Sequence, residues 1–568
     1  MTLTGTAQLL IFLALLLATV RPLGGYMQRV FAGEPTLLSP LLRPVEAALY
    51  RLAGVRPAEE QNWHRYALSF LIFHLPGVLA LYALLRLQDV LPLNPAGLGP
   101  VAPDLALNTA VSFATNTSWE SYGGETTLST LSQMAGIAVQ SFLSAAAGIS
   151  VAMALVRGFA RRGTTTIGNF WADVTRATLY VLLPICVLAA LVLAWRGVPQ
   201  TLAGPATVVT LEGAKQTIAL GPVASQEAIK MISGDGGGFF NAQSAHPFEN
   251  PTALTNLLGI LLMPLLGAAL TNSFGRMVGN EREGWALLIT MLALLVAGWM
   301  VLHGVEAGGN PLLPAGVDQH LGNLEGKEVR FGVAGSALFS ELGTATSSGA
   351  VNAMHDSYLP LSGFVLLSNM MLDEVIIGGP GSGLFGILLF AVVAVFIGGL
   401  MIGRTPEYVG NKIEAREIKM AMLAILVVPA VLLSLTALAV VIPAGLAGLG
   451  NAGPHGFVEV LYAYTSAANT NGSSFAGLTT NTPFYNLTLA LAMAVGRVLV
   501  AVPVIALAGS LATKRRIAPS QGTLPTTGAM WVGLLLGVIV IVGGLTYFPA
   551  LALGPVAEHL AMLRGATF

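Results

Sequence analysis

The run Asp235-Gly236-Gly237-Gly238-Phe239 interrupts the long apolar blocks of this chain, and three similar runs of small polar residues occur elsewhere. They are Thr115-Asn116-Thr117-Ser118-Trp119, Thr346-Ser347-Ser348-Gly349-Ala350 and Asn469-Thr470-Asn471-Gly472-Ser473. From Ser118 to Gly236, then to Gly349 and to Gly472, the steps are 118, 113 and 123 positions. A near-constant step indicates a repeated module of roughly 115 residues.

A short stretch that is compatible with a helix precedes each run, and it is too short to cross a bilayer, which takes about 20 apolar residues. These stretches are Asp104–Ala114, Ser225–Ile232, Ser336–Ala345 and Phe457–Ala467. A short helix followed by a polar loop predicts a segment that enters the membrane and returns. Peptide groups at that depth must be buried in protein or line a wet cavity. Four such loops can meet on one axis, where their carbonyl oxygens replace the hydration shell of an ion.

The composition is that of a membrane protein: 54% of the 568 residues are hydrophobic and 10% are charged, whereas soluble domains carry about 25% charged residues. The sequence predicts an all-α integral membrane protein with about ten transmembrane helices, as four pseudo-symmetric helix–pore loop–helix repeats plus one extra helix at each end. The ten apolar blocks begin near Leu3, Tyr66, Gln133, Ala177, Thr252, Trp285, Gly383, Met420, Tyr485 and Thr527.

The predicted division follows these blocks. Residues 1–65 form an N-terminal span and a cytoplasmic loop, residues 66–160 the first repeat, 177–278 the second, 285–403 the third with a broken second helix, 420–513 the fourth, and 527–568 the last span. The first block has no basic stretch before it and no convincing cleavage site after it, so we predict a retained span rather than a signal peptide. Lys and Arg are denser in one set of loops, which we predict to be cytoplasmic. Both termini are then extracytoplasmic.

Neutral oxygen ligands favour a hard monovalent cation over a transition metal, and glycine leaves a carbonyl unobstructed. The alternative is that the four runs are ordinary turns, in which Gly and Asn are common, but it does not explain the equal spacing. His246 with Glu249, and His355 with Asp356, are the pairs that suggest a metal site. Neither has a clear third ligand, so we predict structural roles for both pairs.

Longer motifs resemble the potassium-binding subunit family (KdpA) of the bacterial Kdp potassium pump over essentially the whole chain. They are Gly221–Lys230, Gly236–Asn241, His246–Thr252, Ala353–Ser357, Met401–Glu407, Gly453–Phe457 and Ala550–Ala557. The resemblance implies a K⁺-transporter fold in the bacterial inner membrane, with K⁺ as the transported ion. It also implies a P-type ATPase complex with a catalytic subunit (KdpB), an accessory subunit (KdpC) and often a small single-span subunit (KdpF). The resemblance places one filter element in each run, at Asn116, Thr117, Ser118, Gly236, Ser347, Ser348, Gly349, Asn471 and Gly472.

The sequence departs from the family pattern at two places: the family usually has Gln where this chain has Glu120, and Thr-Asn where it has Gly234-Asp235. We predict that Glu120 and Asp235 add negative potential at the outer mouth and raise the local K⁺ concentration. The alternative is that both are solvated carboxylates without effect.

Below the third run, the apolar stretch Leu361–Met371 is followed by Asp373-Glu374 and then by Gly378-Gly379-Pro380-Gly381. Pro and Gly so placed break a helix, and broken helices at mid-membrane mark ion sites and gates. In the family this break obstructs the pore beneath the filter; the alternative is a surface hairpin. Arg497 lies inside an apolar run, where a charge needs a partner, and Glu374 and Asp373 are the candidates, with Arg404 nearby.

The chain has neither a Gly-x-x-x-x-Gly-Lys-[Ser/Thr] loop nor an Asp-Lys-Thr-Gly-Thr site, so we predict a non-catalytic subunit that binds no nucleotide. The net charge of −1 implies no nucleic-acid partner. Two other classes stay open: a stand-alone K⁺ transporter or channel with the same four-loop pore, and a membrane-embedded enzyme. The enzyme would need convergent acid, base or metal residues, whereas the intramembrane charges here are scattered.

Overall fold

The computed structural model describes residues 2–314, 316–372, 375–401, 403, 405–515 and 523–566. Within them, ten helices are long and apolar enough to cross a membrane. From first to tenth these spans are Leu3–Ala32, Trp63–Arg86, Ser132–Ala160, Phe170–Trp195, Ala253–Met277, Glu281–Ala307, Ser382–Met401, Ala415–Ala439, Pro483–Ala512 and Ala529–Met562. The predicted all-α membrane fold is confirmed.

Four shorter helices, the pore helices, each lie between two spans of a pair. From first to fourth they are Pro103–Ala114, Val223–Ser233, Gly332–Ala345 and Gly453–Ala468, close to the predicted stretches. The smaller elements are the helices Gly124–Thr127 and Pro443–Leu446, the 3₁₀ turns Gln243–Ala245 and His355–Ser357, and two hairpins, Ala206–Val209 with Lys215–Ile218 and Glu407–Tyr408 with Asn411–Lys412.

The third unit contains the predicted break. The helix Pro360–Met371 ends well before the seventh span begins at Ser382. Ile377, Gly378 and Gly381 in between have φ values of 74°, 63° and 106°, which a right-handed helix does not allow. Two predicted site residues, Glu374 and Arg404, lie outside the described residues, as does Asp373.

Both ends of the described chain lie on the face where the pore helices begin. The backbone N–H of Thr2 donates to His303 Nε2 at 3.3 Å, which places the start of the first span beside the end of the sixth. Near the end of the tenth span, Glu558 Oε1 lies 2.7 Å from Nδ1 of His455, at the start of the fourth pore helix. The two ends of the described chain therefore lie on the same side of the membrane.

Three details differ from the sequence prediction. The first span continues through Arg21 to Ala32, and the loop after it contains a helix, Ser39–Leu52. The fourth span begins at Phe170 instead of Ala177. The charge of Arg176 suggested that the span starts after it, but its Nε donates to Glu46 Oε1 at 3.1 Å, and this pairing lets the helix include it.

Candidate functional site

The first three polar runs meet side by side. Asn116 in the first run donates from Nδ2 to the carbonyl oxygen of Gly234 at 3.1 Å, at the start of the second. Ser348 Oγ in the third run lies 3.5 Å from the carbonyl oxygen of Asp235. Side chains of one loop thus hold the backbone of the next loop.

The fourth run closes the arrangement into a ring. Asn471 donates from Nδ2 to the carbonyl oxygen of Thr346 at 2.8 Å, which joins the fourth run to the third. A Cβ placed on Gly472 would lie 1.9 Å from the carbonyl oxygen of Thr117, and a Cβ on Gly236 would lie 2.9 Å from that of Gly472. Backbones of the first, second and fourth runs are therefore in direct contact, at distances that only glycine permits.

All nine predicted filter residues lie in this ring, and all are buried: Asn116, Thr117, Ser118, Gly236, Ser347, Ser348, Gly349, Asn471 and Gly472. The pore helices end immediately before it, at Ala114, Ser233, Ala345 and Ala468. The C-terminal end of a helix carries a partial negative charge of about half an elementary charge. Four such ends aimed at one ring favour a cation there.

The backbone of the ring is strained. Asn116, Ser118 and Thr470 have φ values of 63°, 57° and 55°, in the left-handed region that residues other than glycine seldom adopt. Such strain persists where the surrounding contacts impose it, and it clusters at binding sites. Here the hydrogen bonds of the Asn116 side chain to the second loop supply part of that constraint.

A cavity of about 780 Å³ opens above the ring, lined by the segments that follow all four runs. Glu120, which we predicted at the outer mouth, lines this cavity. Its Oε2 also accepts the N–H of Gly238 in the second polar run at 3.2 Å. Glu120 therefore holds the second loop in place besides carrying a charge.

Asp235 does not lie at the outer mouth, which corrects the prediction. Its side chain is fully buried and does not line the outer cavity. The side chains of Ser118 and Ser141 face its carboxylate, and the charge of Arg497 acts on it. Asp235 stands behind the ring, inside the protein.

The segment of residues 375–381 packs beneath the ring. The N–H of Gly378 donates to the carbonyl oxygen of Ala345, the last residue of the third pore helix, at 3.0 Å. A Cβ on Gly379 would lie 1.6 Å from Ser347 Oγ, and one on Gly381 would lie 2.1 Å from the carbonyl oxygen of Gly148. The segment thus contacts both the third polar run and the third span.

Arg497 lies on the same side of the ring as this segment. Its Nη2 donates to the carbonyl oxygen of Ser144 at 2.6 Å. It lines a small cavity of about 50 Å³ together with Gly148, Ser382 and Thr470. A buried cation therefore lines the same cavity as Asn469 and Thr470, the first two residues of the fourth polar run.

The sequence profile of one family, described as the potassium-transporting ATPase A subunit (KdpA), matches residues 10–560. The chain belongs to the KdpA family. The potassium-transporting ATPase potassium-binding subunit of Methylorubrum populi is 62% identical over 568 residues, which are 100% of this chain and 99% of that protein. The corresponding subunit of Bradyrhizobium diazoefficiens is 61% identical, with full coverage of both chains.

Among solved structures, the potassium transporter TrkH from Vibrio parahaemolyticus resembles this KdpA chain with a TM-score of 0.52 and 14% identity. The likeness covers 88% of this chain and 97% of TrkH. At this identity it shows a shared fold alone. The resemblance to KdpA that the sequence motifs indicated is confirmed.

Sequence reasoning missed the buried ion pairs beside the second polar run in this KdpA chain. Lys230 Nζ lies 2.5 Å from Glu227 Oε2 and 2.8 Å from Glu249 Oε2, and all three side chains are buried. Glu249 Oε1 also accepts the N–H of Phe240 at 2.8 Å. The signal available in the sequence was a Glu and a Lys three positions apart in a mostly apolar pore helix.

The two suspected metal pairs have other partners. The ring of His246 stacks on Phe240 at 3.7 Å, and His355 contacts the hydroxyls of Tyr462 and Ser340 at 2.8 and 3.1 Å. Asp356 instead pairs with His455, at 3.0 Å from Nε2. In the described part of the chain, Asp356, His455 and Glu459 have ligand atoms within 4.8 Å of one another.

His455 is held as a cation between two carboxylates. Burial opposes its charge, but hydrogen bonds to Asp356 and Glu558 outweigh burial and raise the pKa of His455 to about 10. This cluster therefore acts as a clamp between the fourth pore helix, the third unit and the tenth span.

Proposed function

We propose that this KdpA chain binds K⁺ in the ring of four loops and passes it on for ATP-driven uptake by a P-type ATPase complex. The ATP is hydrolysed in a partner subunit, and this chain contributes no catalytic group. The observation that carries the proposal is the closure of the ring, in which Gly472 touches both Thr117 and Gly236.

The chemistry of the ring supports K⁺ as the ion. The candidate ligands Thr117, Gly236, Gly349 and Gly472 offer neutral oxygens, which suit a hard cation. Carbonyl oxygens replace the hydration shell of K⁺ in channel filters. The outer cavity supplies the ion, and the segment of residues 375–381 obstructs its direct exit. Glu374, Gly378, Gly379, Gly381, Arg404 and Arg497 are the residues that we assign to this lower gate.

The proposed orientation puts the outer cavity and both termini on the extracytoplasmic side of the bacterial inner membrane. It is supported by the basic residues at the opposite end of the bundle, among them Arg157, Arg161 and Arg276, because cytoplasmic loops are enriched in Lys and Arg. The partners would be the catalytic KdpB subunit, the accessory KdpC subunit and a small single-span subunit, KdpF. We also propose the division of the chain into the six segments predicted from the sequence, of which the first is residues 1–65 and the last is residues 527–568.

The test is K⁺-stimulated ATPase activity of the purified complex with Gly236→Ala, Gly349→Ala or Gly472→Ala. We expect each variant to lose discrimination between K⁺ and Na⁺, because the new methyl group displaces carbonyl oxygens of the ring. Gly304→Ala is the matched control, since nothing lies within 4 Å of a Cβ at Gly304. Unchanged ion selectivity in all three ring variants would contradict the proposal.

The TrkH-like fold also fits a second function, a K⁺ transporter that works without an ATPase partner. The two functions differ in one measurement, K⁺ flux into vesicles that contain this chain alone. Flux without ATP would favour the stand-alone transporter. Flux that needs both the partner subunits and ATP would favour the proposed subunit.

A further inference from the structure

The helix Ser39–Leu52, which follows the first span, contacts the rest of the protein through its polar face instead of its apolar face. Its polar face packs on the protein: Glu46 accepts hydrogen bonds from Arg176 Nε at 3.1 Å and from the Tyr180 hydroxyl at 2.8 Å. The Tyr50 hydroxyl donates to the same carboxylate at 2.8 Å. The apolar face is thereby turned away from the bundle.

That outward face is a stripe of four aliphatic side chains, Leu41, Val45, Leu49 and Leu52, at the spacing of one helix face. Leu41 is 73% exposed and Leu52 is 86% exposed. A stripe so exposed is unfavourable in water, at about 25 cal/mol for each Å² of apolar surface. It therefore requires an apolar medium or a partner.

The helix lies at the depth of the membrane boundary. Its anchors Arg176 and Tyr180 are about 9 and 15 Å inside the fourth span, counted from Phe170 at 1.5 Å per residue. Farther along the same span, Leu183, Val187 and Leu191 are exposed and belong to the apolar belt that faces lipid. The stripe continues this belt.

We propose that Ser39–Leu52 is an in-plane membrane anchor whose aliphatic stripe lies among the lipid acyl chains of the leaflet opposite the outer cavity. Arg43 and Arg51 are exposed on the other half of the helix, where they meet lipid headgroups. Helices of this kind bury the apolar face about 5–10 Å deep. The stripe has no aromatic or Arg anchor, the residues that dominate protein–protein contacts, and this favours lipid over a partner subunit.

The test uses single-cysteine variants of the purified complex in lipid nanodiscs, in a Cys186→Ala background. Val45→Cys and Leu49→Cys carry a fluorophore on the stripe, and Ala47→Cys, which is also exposed, carries it on the opposite half. Two quenchers are compared: lipids spin-labelled near the headgroup end of the acyl chain, and iodide in the buffer.

We expect the lipid spin label to quench the probes at positions 45 and 49 several-fold more than the probe at 47, and iodide to show the reverse order. Equal quenching of all three probes by iodide would overturn the proposal. So would protection from both quenchers in the complex combined with lipid quenching of the isolated chain, because a partner subunit would then cover the stripe. This result does not depend on K⁺ binding and leaves the proposed function untouched.

Discussion

At the scale of single residues, Glu120 combines a charge at the outer cavity with a hydrogen bond to the Gly238 N–H. Glu120→Gln keeps an acceptor for that bond and removes the charge. We expect the half-saturating K⁺ concentration of the ATPase to rise at low ionic strength by up to about fivefold, since a charge that faces a wide, water-accessible cavity acts with roughly 1 kcal/mol or less. The difference should shrink at high salt, where exposed charges are screened.

Asp235→Asn is the companion variant, because Asp235 is fully buried and burial raises the pKa of its carboxyl to about 8, so this substitution removes little charge near neutral pH. Its effect on K⁺ affinity should therefore be small and should not change with salt. If Glu120→Gln left the half-saturating K⁺ concentration unchanged at low ionic strength, the proposed field at the outer mouth would be wrong.

At the scale of an element, the variant Gly381→Ala tests whether the segment of residues 375–381 obstructs the exit of K⁺. The added methyl group would meet the carbonyl oxygen of Gly148 at 2.1 Å, and the φ of 106° disfavours any side chain. We expect the segment to shift away from the third span, at a cost of about 1–3 kcal/mol for the backbone strain alone. Proteoliposomes with this variant should leak K⁺ without ATP.

Gly97→Ala is the control that introduces backbone strain without a steric clash. Gly97 has a φ of 65°, and nothing lies within 4 Å of a Cβ at this position. It should not leak. A Gly381→Ala complex that assembles and remains tight to K⁺ would show that this segment is not the obstruction.

At the scale of the whole molecule, a buried ion pair joins the first unit to the start of the second at the end of the bundle opposite the outer cavity. Arg157 binds Asp173 through two bonds of 2.6 and 2.7 Å, and the Tyr66 hydroxyl donates to Asp173 at 2.9 Å. Arg157→Met leaves the carboxylate unpaired and should destabilise the protein by about 3–5 kcal/mol in denaturation of the purified complex.

The double variant Arg157→Met with Asp173→Leu removes both charges and should regain most of that stability. A double variant no more stable than Arg157→Met would mean that the damage comes from lost packing instead of the unpaired charge.

The clamp at His455 predicts a pH dependence of stability. Its pKa is raised from the ordinary 6.5 to about 10, so the stabilisation is complete below pH 6.5 and is lost as the pH rises through about 10. We expect the thermal midpoint of the complex to fall across this window. In His455→Gln, which cannot become charged, the fall should be smaller, and an identical pH curve in both proteins would contradict the clamp.

The spans and the pore helices could be predicted from the sequence because each depends on residues close together in the chain. The break before Ser382 was visible as Gly378-Gly379-Pro380-Gly381, since these residues end a helix wherever they stand. The spacing of the four polar runs similarly indicated a repeat, and the resemblance of the motifs named the family. The position of Glu120 directly after the first polar run was also evident from the sequence.

The sequence by itself thus determined the ten spans, the four re-entrant loops and the family, because hydropathy and helix-breaking residues act locally. Only the tertiary structure decided which groups meet: Asp235 behind the ring, His455 between Asp356 and Glu558, and the outward stripe of Ser39–Leu52. These depend on lateral packing between helices distant in the chain, and the pattern along one helix does not specify which neighbour each face meets.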